Sequence, residues 1–109
     1  MKRFCLAIDL KEDPELIREY EAHHQTVWPE NLEGIRSSGI TVMDIYRTGN
    51  RLFMILEADD DFSFEAKAAN DASNAKVQEW ESLMNNFQQP LPWAKPGEKW
   101  VVMEQIFGL

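Results

Sequence analysis

The turn Thr48-Gly49-Asn50, set between the apolar runs Ile40–Tyr46 and Arg51–Ala58, constrains this chain more than any other stretch. Two runs rich in β-branched and aromatic residues around a short Gly-containing turn predict a β-hairpin. The other elements arrange themselves around it. Phe4 to Leu10 is a short apolar run and predicts a buried strand. Asp13 can cap a helix that opens on Pro14, and Leu16, Ile17 and Tyr20 recur at helical spacing after it. That helix is expected to carry through His24 towards Trp28 and to resume after Pro29, with Leu32 and Ile35 on its buried side. Ser37-Ser38-Gly39 should stop it.

Beyond the hairpin, Asp59-Asp60-Asp61 reads as a solvated turn whose charge favours the start of the next helix. Phe62–Ala69 is helical in composition, Asn70-Asp71 should interrupt it, and a second piece is expected from about Ser73 to Phe87 with Val77, Trp80, Leu83, Met84 and Phe87 along one side. Gln88–Gly97 contains three prolines and no regular period, which makes it an ordered loop or arm, and Trp100–Phe107 is expected to be a final strand.

The order is β-α-β-β-α-β. That predicts one domain, residues 1–109, of the α+β class: a ferredoxin-like four-stranded antiparallel sheet with its helices on one face. Leu52, Met54 and Leu56 alternate with Phe53 and Ile55, so both faces of the sheet are apolar. Burying one such side chain is worth about 1.5–3 kcal/mol, so the face without helices should not stay in water. It walls a ligand cavity or is covered by a second subunit; both hold in a dimeric α/β barrel. The arm bearing Trp93 is expected to wrap the partner.

Composition narrows the function. A chain of 109 residues with 44% hydrophobic content can bury a core, and a net charge of −8 argues against nucleic acid and anionic membranes. The single Cys5 permits no internal disulfide and no thiolate metal site. The first ten residues are too short in apolar run, and interrupted by Asp9, to read as a signal peptide, and no stretch reaches the ~20 apolar residues of a membrane span. A cytoplasmic protein is expected.

The chemistry concentrates in Glu19–Glu30, which holds both histidines. Tyr20, His24 and Trp28 are four apart and would share one helical face: a phenol, an imidazole and an indole. Such a set can grip a sugar ring and move a proton on it, although Tyr and Trp at this spacing are also ordinary core residues. Imidazole is the side chain that changes charge near neutral pH without special help. His24 is preferred over His23, which points about 100° away. Glu104, Asp44 and Glu57 fall on expected strands and could accept hydrogen bonds from hydroxyls. No phosphate loop, zinc spacing or nucleophile elbow is present, so the expected function needs no metal or cofactor.

The segments Glu19-Tyr20…His24…Val27-Trp28-Pro29-Glu30, Gln78-Glu79-Trp80 and Lys95-Pro96-Gly97-Glu98-Lys99-Trp100…Met103-Glu104…Ile106-Phe107 resemble the L-rhamnose mutarotase family over nearly the whole chain. The resemblance implies a cofactor-free, dimeric ferredoxin-like enzyme that interconverts the α and β anomers of a 6-deoxy sugar. It implies His24 as proton donor, Tyr20 as a substrate contact and Trp80 as a substrate-binding tryptophan. Two positions depart from the rhamnose pattern: Glu81 stands where a second tryptophan is usual, and Met43 where a strand tyrosine is. The family includes L-fucose-type members, and Glu81 could bond a hydroxyl of different stereochemistry. The competing expectations are a cofactor-free dimeric-barrel monooxygenase and a non-catalytic sugar-binding module.

Overall fold

The computed structural model describes all of residues 1–109. The hairpin forms as expected. β2 (Ile40–Thr48) turns through Gly49 and Asn50 into β3 (Arg51–Ala58). Gly49 has φ +56°, a left-handed conformation open to glycine without strain. β1 (Lys2–Leu10) pairs antiparallel with the other side of β3, from Lys2 opposite Ala58 to Asp9 opposite Arg51. In β3, Leu52, Met54, Leu56 and Ala58 are buried, while Phe53, Ile55 and Glu57 between them are only half-buried. The two-residue period therefore separates a covered face from a bare one.

The fourth position of the sheet is occupied twice. β4 (Gln88–Gln89) pairs with Asp9 and Leu10, and β5 (Val101–Val102) pairs with Leu6 and Ala7 on the same edge of β1. The path β2-β3-β1-β4 is the expected ferredoxin-like order. Pro90 directly follows β4 and has no N–H to donate, so the ladder breaks there and the chain loops out before rejoining β1. The expected final strand over Trp100–Phe107 is thus corrected to Val101–Val102, with one further rung from the Met103 N–H to the Cys5 carbonyl at 2.7 Å. Its apolar residues misled the expectation: Ile106 and Phe107 are 93% and 76% exposed, because no second strand flanks them.

Two helices precede the hairpin. α1 (Pro14–His23) starts where Asp13 accepts hydrogen bonds from the N–H groups of Glu15 and Leu16. α2 (Pro29–Ser37) follows a five-residue break that opens at His24, earlier than the expected end of the first helix near Trp28. Proline bars the residue before it from the helical region, and Trp28 accordingly sits at φ −59°, ψ 139°. Thr26 and Val27 are β-branched and add no helical drive across the gap. Gly39, at φ +95°, ends the unit.

The second helical half is also corrected. α3 (Phe64–Ala72) runs through Asn70-Asp71. Asp71 is held by Lys67 one turn earlier at 2.6 Å, so the polar pair props up the helix instead of ending it. The break falls at Ser73-Asn74, where Asn74 caps α4 (Ala75–Asn85) by accepting from the Lys76 and Val77 N–H groups. α3 buries no residue of its own, whereas α4 buries Val77, Trp80 and Met84. The core on the covered face divides in two. One cluster gathers Ile8, Leu10, Tyr20, Leu52 and Phe87 around Trp80, and the other gathers Leu6, Ile40, Met54, Leu56 and Phe62.

Candidate active site

Between the sheet and the helices opens a cavity of about 860 Å³, within the range of small-molecule sites. All four helices reach its wall, through residues such as Tyr20, Asn31, Lys67 and Trp80, and β2 and β3 form its floor through Met43, Ile45 and Met54. His24 lines it, half-buried.

The end of α1 builds the His24 site. The His24 N–H donates to the Glu21 carbonyl at 3.1 Å, tightening the last turn by one residue. That leaves the Tyr20 carbonyl to the side chain of His24, whose Nδ1 lies 2.9 Å from it. A carbonyl can only accept, so Nδ1 carries the hydrogen and the neutral ring keeps its lone pair on Nε2. The ring packs tilted against Tyr20 at 4.4 Å and meets Trp80 edge-on at 5.5 Å. Trp28, across the break, meets the same indole of Trp80 edge-on at 5.3 Å. The three residues expected on one helical stripe are therefore brought together around Trp80, although the helix between them is interrupted. Trp28 supports the wall from behind and is not part of it.

Tyr20 is 3% exposed. Burial pushes its hydroxyl up to about 12; the Gln88 side chain pulls slightly the other way and the negative charge of Glu81 adds to the rise. Tyr20 is thus a neutral phenol over the working range of pH, able to donate a hydrogen bond and unable to serve as a base. Glu81 lines the cavity and is held by Lys99 Nζ at 2.7 Å, which ties the loop after β4 to α4. Met43 is half-buried on the floor. Glu104 stands apart: it is exposed in the segment after β5, off the expected strand and outside the cavity wall. His23 does not line the cavity; its ring lies 5.6 Å from Phe87 and 6.4 Å from Trp80. Trp93 is 63% exposed, with the Arg51 guanidinium 5.7 Å from its ring, and does not enter the cavity.

Two residues of the wall escaped sequence reasoning. Asn31 is 6% exposed and Gln88 is 8% exposed. Neither side-chain atom of Asn31 has a hydrogen-bond partner, nor has Oε1 of Gln88. Leaving such a group dry and unpaired costs about 1–3 kcal/mol. Asn31 had a faint signal, lying four residues before the inward-facing Ile35; Gln88 sits at the head of a proline-rich stretch and had none.

The bare side of the sheet differs. A shallow concavity there is lined by Ala7, Tyr46, Phe53 and Met103 together with Arg47, Thr48 and Arg51, and by no helical residue. The Asp9 carboxylate, nearly buried, is closed by Arg51 at 2.7 and 3.2 Å.

Residues 3–109 match the family model described as L-rhamnose mutarotase. An L-fucose mutarotase of Xanthomonas campestris pv. campestris is 42% identical over 111 residues, covering 100% of this chain and 89% of that protein. A UPF0734 protein of Dictyostelium discoideum is 38% identical, over 99% of this chain and 90% of its own length. Among solved structures, an L-rhamnose mutarotase from Formosa agariphila superposes with TM-score 0.73 at 20% identity, covering 100% of this chain and 99% of that one. The tetracenomycin F2 cyclase of Streptomyces glaucescens superposes with TM-score 0.59 at 16% identity, again over 100% of this chain and 99% of the other; at that identity the likeness concerns the fold alone.

Proposed function

The chain belongs to the L-rhamnose mutarotase family, carbohydrate isomerases that exchange anomers, and from that premise we propose that it interconverts the α and β forms of a 6-deoxy-L-hexose, L-rhamnose or L-fucose, with His24 as the acid–base group. One observation carries the reading. The His24 imidazole is anchored through Nδ1 to the Tyr20 carbonyl, which leaves Nε2 free in a cavity whose wall holds unpartnered amides.

The reaction is balanced in protons alone. The anomeric hydroxyl loses its proton, the bond from C1 to the ring oxygen breaks, and the ring oxygen gains a proton, giving the open aldehyde. Rotation about C1–C2 exposes the other carbonyl face, and the ring oxygen closes on it as the two protons return. Nε2 of neutral His24 takes a proton and the imidazolium returns one. Tyr20, held neutral by burial, donates a hydrogen bond to a sugar oxygen. Trp80 offers a flat apolar face to the C–H side of the ring, with Trp28 bracing it, and Met43 and Glu81 shape the sugar-reading wall. The sugar already exchanges anomers slowly in water, so the ~10²–10⁴-fold of positioned acid–base groups is sufficient.

The 42% identity to an L-fucose mutarotase supports trying L-fucose first. Saturation-transfer NMR across a panel of 6-deoxy-hexoses tests the reading. Anomer exchange of L-fucose or L-rhamnose should exceed the spontaneous rate in proportion to enzyme concentration; no acceleration for any member would overturn it.

The proposal includes a homodimer formed through the bare sheet face. Tyr46 is 58% exposed beside the half-buried Phe53, and Met103, Ile106 and Phe107 of the tail are also exposed. A second copy would remove these apolar groups from water. A cytoplasmic location belongs to the same proposal, supported by the single unpaired thiol of Cys5; no helix is long and apolar enough to cross a membrane.

A further inference from the structure

Three buried side-chain atoms in this protein lack any hydrogen-bond partner: Nδ2 and Oδ1 of Asn31, and Oε1 of Gln88. All three belong to residues lining the cavity that His24 faces. Elsewhere the buried polar groups are closed, as Asp9 is by Arg51. Folded proteins pair nearly all such groups, so unpaired ones gathered in a single cavity are groups kept for a ligand.

The chemistry of the amide says which ligand. A carboxamide presents a donor and an acceptor side by side, and is completed only by a ligand that accepts at one point and donates at its neighbour. Two hydroxyls on adjacent carbons do this, because each can donate or accept. A phosphate or carboxylate, which only accepts, would satisfy Nδ2 and leave Oδ1 facing negative charge. Exchanging the amide's O and N leaves the argument intact, since hydroxyls serve either order. Gln88 adds to it: its side chain acts on the Tyr20 hydroxyl, while its free Oε1 can accept from a further hydroxyl.

We infer that Asn31, seconded by Gln88, is a specificity-determining contact that recognises a vicinal diol of the sugar away from the anomeric carbon. The inference rests on the anomer-exchange reading and names the part of the substrate that its site reads.

The test compares wild type with Asn31→Leu and Asn31→Ala in three measurements: thermal unfolding without sugar, sugar affinity by tryptophan fluorescence, and anomer exchange by NMR. Leucine removes two unpaired polar atoms at similar volume, so the sugar-free Tm should be at or above that of wild type. The Kd and KM for the preferred sugar should rise about tenfold to a hundredfold with kcat changed much less. Substrates lacking one ring hydroxyl should lose affinity for wild type and lose little more for the variant. A lower Tm in both variants with Kd and KM unchanged would make Asn31 a structural residue and overturn the inference. If wild type binds sugar but exchanges no anomers, the catalytic reading fails while the affinity comparison still decides the role of Asn31.

Discussion

The two faces of the sheet are built from the same strands and differ in what their polar groups do. On the covered face, the Asn31 amide and Oε1 of Gln88 are buried and unpaired, and His24 keeps one nitrogen free. On the bare face, the one nearly buried charge, Asp9, is closed by Arg51 through two hydrogen bonds, Glu57 is paired with Arg3, and Tyr46, Phe53 and Met103 supply the apolar part of the surface. Polar groups left open suit a ligand that exchanges in and out; polar groups closed within an apolar surface suit contact that stays. On the proposed function, the difference separates chemistry from assembly along a sheet only one strand thick, and each face can be perturbed alone.

The largest effect is expected on the covered face. His24→Ala should lower anomer exchange about 10²–10⁴-fold, measured by saturation-transfer NMR. The same change removes one hydrogen bond from a half-buried side chain, so stability should fall by no more than about 1–2 kcal/mol. Unchanged exchange would mean the acid–base group lies elsewhere.

Phe53→Arg addresses the bare face. By two-fold symmetry the charge enters a dimer interface twice, and losing about 1.5–3 kcal/mol of burial per subunit should raise the dimer Kd more than a hundredfold in sedimentation velocity. Exchange per subunit should fall less than tenfold, since Phe53 lies on the opposite side of the sheet from the cavity. A dimer unaffected by the change would move assembly to another surface. A loss of exchange as large as that of His24→Ala would show the two faces to be coupled.

The smallest effect concerns the Tyr20 hydroxyl. Its value of about 12 in the fold lies above its ordinary 10. Stability linked to this group is complete below pH 10 and is lost as pH rises from 10 to 12, since the unfolded chain gives up the proton first. The total is about 2–3 kcal/mol. An absorbance titration at alkaline pH should contain a late tyrosinate step near 12 that Tyr20→Phe abolishes.

Local signals made much of the frame legible. Asp13-Pro14 marked the start of α1, and Thr48-Gly49-Asn50 marked the hairpin, because capping and turn chemistry act over a few residues. Elements that depend on a neighbour were read less well. Trp100–Phe107 has the composition of a strand, yet only Val101, Val102 and Met103 bond to β1. Asn70-Asp71 has the composition of a break, yet Lys67 holds the helix through it.

The site divides the same way. Sequence spacing alone determined that Tyr20 and His24 lie one turn apart, since a helical turn is a local repeat, and that a hairpin turns at Gly49-Asn50. Only the tertiary structure decided that Trp28 rejoins them across a broken helix, that Lys99 holds Glu81, and that the Asn31 amide and Oε1 of Gln88 line one cavity without partners. Those contacts join residues on different elements, and whether a polar atom is paired depends on everything packed around it.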